Sequence, residues 1–138
     1  VGDPQDSTAF GLAFADLDRD RDPDIVVAGA RSTYVLENDG LGGFASSRGG
    51  LSQASISLAM GDLDRDGDLD IIATEPLGGS ANVFLNQGAM SFAFSSTVPG
   101  TQPRSLLAVL LHDVDGDRDL DVLRLYDDVG APGPLRIF

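Results

Sequence analysis

Apolar residues in this chain fall in short runs broken by polar turns. The first third carries "TAFGLAFADL", "DIVVAGA", "TYVLEND" and "GGFASS". The middle carries "SISLAMGDL", "DIIATEP", "ANVFLNQG" and "MSFAFSST". The last part carries "SLLAVLLHDV", "DVLRLYD" and "PLRIF". Each run is rich in Val, Ile, Leu and Phe and bounded by Gly, Asn, Asp or Pro, the pattern of strands between turns. No segment sustains a capped 3.6-residue apolar period, so helix-pair repeats are not expected. "ENDGLGGF" and "LNQGAMSF" predict hairpins joining third and fourth strands. The expected fold class is all-β, built from four-stranded antiparallel sheets.

The same order of elements occurs three times. Between first and second strands lies an aspartate cluster, starting at Asp16, Asp62 and Asp113, 46 and 51 residues apart. A period of that size with four strands per repeat is that of β-propeller blades. The 138 residues form a single region of three repeats, about 7–49, 50–98 and 99–138. The last repeat is incomplete, because Phe138 falls at the end of its third strand. Three blades are fewer than the roughly four to eight of a closed propeller. A partial propeller, or a part of a larger assembly, is therefore expected.

The clusters hold the candidate chemistry. Numbered one to nine, the loops carry aspartate at one, three, five, seven and nine: Asp16, Asp18, Asp20, Asp22 and Asp24; Asp62, Asp64, Asp66, Asp68 and Asp70; Asp113, Asp115, Asp117, Asp119 and Asp121. Carboxylates this dense repel one another unless a cation joins them. Calcium takes six to eight oxygens, partly from backbone carbonyls. Positions one, three and five can surround one ion, position seven can add its carbonyl, and position nine can close the site from the next strand. The carboxylates at seven are then expected to stay in solvent. Up to three calcium ions follow, with the middle site tightest because Gly67 occupies position six, where the other loops have Arg21 and Arg118. An EF-hand begins its loop similarly but needs a Glu at twelve and flanking helices. Here position twelve is Val27, Ala73 and Arg124.

With these residues the chain resembles the FG-GAP/VCBS repeat family, the calcium-binding blades of integrin-type propellers and of many secreted bacterial proteins. The family pattern D-x-D-x-D-G-x-x-D before an apolar strand is matched in full by residues 62–72. "VFLNQGAMSF" and "VLENDGLGGF" resemble its asparagine- and glycine-containing turn leading to Phe. The resemblance covers nearly the whole chain. It implies a secreted or cell-surface protein with a role in adhesion, recognition or surface assembly.

Composition narrows the partners. The net charge is -13, and the three loops contribute 15 of the 22 acidic residues, so the acidity is concentrated at three places. Nucleic acid and anionic membranes are poor partners for such a surface. The longest apolar run, 106–111, is too short to be inserted across a bilayer. Absence of cysteine excludes disulfides, thiolate catalysis and zinc–thiolate sites. The start at Val1, without a methionine or a signal-like segment, suggests a chain processed or excised from something longer.

Other residues read as structural. His112 is the sole histidine and is expected to pack on its strand. Phe44, Phe84, Phe92 and Phe94 are expected in the core. No acid–base pair is evident, and no enzyme activity is expected. The leading function is a calcium-stabilised extracellular scaffold or interaction module, its partners calcium and other protein chains or further blades. The alternatives are a lectin-like propeller binding glycans, or a non-catalytic part of a secreted polysaccharide-degrading enzyme.

Overall fold

A computed structural model describes residues 8–46, 51, 53–77, 79–100, 106–126 and 136–137. The strands lie where the apolar runs predict them. The first sheet is β1 (Ala9–Ala15), β2 (Asp24–Gly29), β3 (Thr33–Asn38) and β4 (Phe44–Ser46), paired in that order. The second is β5 (Leu58–Gly61), β6 (Asp70–Thr74), β7 (Ala81–Asn86) and β8 (Phe92–Val98). In the third, β9 (Leu106–His112) and β10 (Asp121–Tyr126) pair, and β11 (Arg136–Ile137) adds a short strand to β10. All pairings are antiparallel, and no helix occurs among the described residues. The expected repeat boundaries near 7, 49 and 50, and the end of the last strand at Phe138, lie outside the described residues.

The sheets stack face to face, with β1 beside β5 and β5 beside β9. Each strand presents alternate residues to opposite faces, and each interface draws on one face of each sheet. Leu17, Val26 and Val35 meet Ile71, Ala73, Phe84 and Met90 between the first and second sheets, with Leu51 from the connection sealing the cluster. Ile72 and Ala81 meet Val109 between the second and third, flanked by Leu111 and Val122. Gly61 shows how close this approach is. A Cβ there would lie 2.5 Å from Leu120 Cδ1 and 3.2 Å from Leu111 Cδ1.

The connection from the first sheet to the second is hydrogen-bonded to both. Thr33 N–H donates to the carbonyl of Gln53 at 2.8 Å, Ser55 N–H to Gly29, and Ile56 N–H to Thr74. Between the second and third sheets, buried Arg124 donates through Nη1 to the Pro99 carbonyl at 2.8 Å and lies over the Tyr126 ring.

Two expectations about packing are corrected. His112 is exposed at the end of β9, because its face of the third sheet has no described neighbour. Phe84 is buried and Phe92 packs beside it, but Phe44 and Phe94 are about half exposed because β4 and β8 are outer edge strands. Phe94 meets Phe84 edge-on at 6.0 Å.

Ile71 is fully buried where the first two sheets meet. Truncation Ile71→Ala is expected to cost about 2–4 kcal/mol of unfolding free energy, measured by urea denaturation. A loss below about 0.5 kcal/mol, the usual scale of a surface substitution, would show that the two sheets do not pack together in solution.

Candidate metal centre

Each acidic loop joins the first two strands of its sheet, and its ends are paired across the ladder. Ala15 faces Asp24, Gly61 faces Asp70, and His112 faces Asp121. The nine-residue turn is therefore held at a fixed gape. Its interior is folded by aspartates accepting from backbone N–H groups of the same loop.

The pattern repeats almost bond for bond. Position one accepts from the N–H of position six: Asp16 from Arg21, Asp62 from Gly67, Asp113 from Arg118, all at 2.9–3.0 Å. Position three accepts from position five, and position five from position seven. Position nine accepts from position two: Asp24 from Leu17, Asp70 from Leu63, Asp121 from Val114, at 2.7–2.9 Å. Such a winding needs left-handed residues. Positions four and six both have positive φ in every loop: Arg19 and Arg21, Arg65 and Gly67, Gly116 and Arg118. In the sequence only position six signals this demand, through Gly67. The second and third loops each contain one glycine at such a position and the first contains none.

The second oxygen of position nine ties the loop to the third strand. Asn38 N–H donates to Asp24 Oδ1 and Asn86 N–H to Asp70 Oδ1, both at 2.9 Å. The Asn86 side-chain amide also donates to the carbonyl of Leu17 in the first loop at 2.9 Å, linking two sheets. These asparagines went unassigned in the sequence reading. Their signal is an Asn closing the third strand in both "VLEN" and "VFLN".

Carboxylate oxygens converge in each loop to within 4.8 Å of one another. The groups are Asp16, Asp18 and Asp24; Asp62, Asp64 and Asp66; and Asp113, Asp115 and Asp121. Asp20 and Asp117 at position five, and Asp70 at position nine of the middle loop, stand outside these groups. Position seven does too. Asp68 does not rest in solvent as expected, since its Oδ1 is 2.8 Å from Nη2 of Arg19 and its side chain is 19% exposed; Asp119 pairs with Arg65 but stays 56% exposed. Asp22 lies beside Gly40, where a Cβ would strike its carboxylate.

One observation tests whether a cation fits. Oδ1 of Asp16 and Oδ1 of Asp62 are buried and accept no hydrogen bond. An unpaired buried carboxylate oxygen is costly, and each belongs to a convergent group of three. A hard dication with several oxygen ligands suits such a group. In the third loop the corresponding oxygen is engaged, because Gly116 N–H donates to Asp113 Oδ1 at 2.7 Å. The three clusters can hold metal ions, and the third presents one free oxygen fewer at position one.

Electrostatics follow from burial. Burial pushes the Asp70 carboxyl above its ordinary value; Asp64 and Asp66 add to the push, and N–H bonds from Asn86 and Leu63 oppose it. Burial likewise raises Asp18, with the Asp20 and Asp24 charges contributing. Asp39, in the β3–β4 turn, is lowered by the N–H groups of Leu41 and Gly43.

A raised carboxyl means that the folded chain binds the proton more tightly than the unfolded one. The stability from Asp18 and Asp70 is thus present below the ordinary 3.8 and lost as pH rises through their higher values. Asp39 has the opposite sign, its contribution fading as pH falls below 3.8. Metal-free chain is expected to gain stability as pH falls from about 7 toward about 4, and metal-loaded chain to lose it over the same range because protons compete with the ion. Melting curves with chelator and with calcium check both halves. A second expectation concerns strain. Arg21→Gly relieves one left-handed non-glycine residue, worth about 1 kcal/mol, and should tighten metal binding at the first loop by about fivefold. Calorimetric titration reads this, and unchanged affinity would remove strain as the reason for a weaker first site.

No curated protein matches the chain. The FG-GAP-like repeat matches it twice, over residues 16–73 and 62–123. Each match opens on position one of an acidic loop and runs into the second strand of the following sheet. The matches overlap at the middle loop and together span most of the chain, which therefore belongs to the FG-GAP-like repeat family.

Proposed function

We propose that the chain is a calcium-binding extracellular interaction module built of propeller-type blades, in which the ions are structural. The observation that carries this reading is the pair of unpartnered buried oxygens, Asp16 Oδ1 and Asp62 Oδ1, each within a convergent carboxylate group. Positions one and three, with five or nine, would hold the ion, and a carbonyl at seven would add a further oxygen. The bound ion supplies positive charge where the turn gathers negative charge. Calcium suits the site better than magnesium, which keeps its waters and demands a strict octahedron. Sites on short exposed loops match the millimolar calcium outside cells. The module acts by presenting surfaces to other chains, in adhesion or surface assembly, and not by catalysis, since its carboxylates are committed to ions and to backbone N–H groups.

Calcium that binds only the folded chain at about 100 times its dissociation constant adds about 2.7 kcal/mol per site. For a chain of this length that raises the melting temperature by about 8 °C per occupied site. Scanning calorimetry with calcium and with excess EGTA is the test. Superimposable curves would dispose of the structural role.

A further inference from the structure

Hydrogen bonds through the core join the first acidic loop to the second. Leu17 lies between Asp16 and Asp18, and its carbonyl accepts from the Asn86 side-chain amide at 2.9 Å. The N–H of Asn86 donates to Asp70 Oδ1 at 2.9 Å. The other oxygen of Asp70 accepts from Leu63 N–H at 2.7 Å, and Leu63 lies between Asp62 and Asp64. The run therefore begins between two carboxylates of one cluster and ends between two of the next. Leu17, Asn86 and Asp70 are each at most 1% exposed.

Asn38 holds the same place in the first repeat and supplies the comparison. Its N–H donates to Asp24 Oδ1, its amide donates to the Pro23 carbonyl, and its Oδ1 accepts from Gly40 N–H. Asn86 makes the same three bonds, with Asp70, the Leu69 carbonyl and Gly88 N–H. The bond to Leu17 is additional, and at 2.9 Å it is shorter than the 3.4 Å bond to Leu69. A second link lies at the surface. Arg19 at position four reaches Asp68 at position seven of the next loop, as Arg65 reaches Asp119. Both arginines are more than half exposed, where solvent weakens such pairs. The buried run has no water to exchange with, so breaking it costs more.

We infer that Asn86 is a positioning residue that couples the first two ion sites, so that filling one raises the affinity of the other. Asp16 and Asp18, once joined on an ion, fix the Leu17 peptide between them. Its carbonyl then orients the Asn86 amide, and the Asn86 N–H holds Asp70 where it closes the second loop. Coupling is reciprocal, so filling the second loop favours the first equally. This coupling rests on the metal-binding reading and adds that its first two sites fill together.

The test is calcium titration of the whole chain carrying Asp115→Ala, which disables the third loop. NMR at the Gly67 amide reads the second loop alone. Adding Asp18→Ala, which disables the first loop, should weaken calcium binding at the second by about fivefold, the lower scale of coupling between sites. With Asn86→Ala in place, Asp18→Ala should leave the second loop's affinity unchanged. That substitution keeps the backbone N–H that holds Asp70. Asn38→Ala removes the matching local bonds and should preserve the fivefold effect. So should Arg19→Gly, which suits a left-handed residue. Circular dichroism checks that each variant is folded. A further measurement needs no change at Asn86 and decides the question if Asn86→Ala does not fold. With the second loop disabled by Asp64→Ala, calcium at the first should still shift the Asn86 side-chain amide and the Leu63 N–H signals. Coupling that survives Asn86→Ala, coupling that Arg19→Gly or Asn38→Ala abolishes, or unmoved Asn86 and Leu63 signals would each overturn the inference. Calcium binding at two independent sites sinks the coupling alone. No calcium binding at either loop sinks the metal reading, and the coupling with it.

Discussion

The aspartate at loop position nine is the constraint on which this architecture turns. Asp24 and Asp70 are almost wholly buried, and each spends both oxygens on backbone N–H groups, one at position two and one at the asparagine ending the third strand. A single side chain thereby closes the turn, starts the second strand and fixes its register against the third. Two N–H donors satisfy the hydrogen bonding but leave a buried negative charge that no arginine among the described residues pairs with. The same closure folds positions one and three, with five in the middle loop, into the space beneath. Geometry that orders the sheet thus gathers the charge that a dication relieves, and folding and ion binding become one equilibrium.

The loop backbone shows what else that closure demands. Two residues in each turn are left-handed, and four of the six are arginine. Glycine would fit there at lower cost. For Arg19 and Arg65 the compensation is visible, because a left-handed position four sends the guanidinium across to the next loop. The pair is exposed and weak on its own terms. Its effect is on position seven, where it draws the Asp68 and Asp119 carboxylates toward the neighbouring sheet and leaves the backbone carbonyl as the group available to an ion. Nothing in the structure explains arginine in place of glycine at 21 and 118.

What the sequence made legible, and what it did not, divides by range. Strand positions, hairpins and the acidic turns follow from contacts a few residues apart, and alternation with turn chemistry announces them. The convergence of positions one and three is of the same kind. The pairing of Asp68 with Arg19 spans two loops, and the bond from Asn86 to Leu17 spans 69 residues. Neither distance leaves a local pattern. The fates of Phe94 and His112 were illegible for a related reason: both lie on strands, but burial depends on whether another sheet covers that face. Gly116 misled in a subtler way. It reads as a displaced turn glycine, yet its N–H occupies the one oxygen that stays free in the other two loops.

The stack has a direction, and the direction is chemical. At the close approach between the second and third sheets the forward surface offers Gly61 and the rearward one offers Leu111 and Leu120. Turning the second sheet round would set Leu58 and Met60, in place of Gly61, against Leu111 and Leu120. The arginine ladder points the same way, from position four forward to position seven. Apolar shape and charge therefore specify one orientation independently, and a sheet that entered backwards would lose both. Units joined by such unlike faces do not pair off symmetrically. They add head to tail, and whether the result closes into a ring or continues as a stack depends on the rotation each interface imposes. Side-chain chemistry at these interfaces sets the order and sense of the repeats, while the twist carried by each sheet sets how many are needed before the ends can meet.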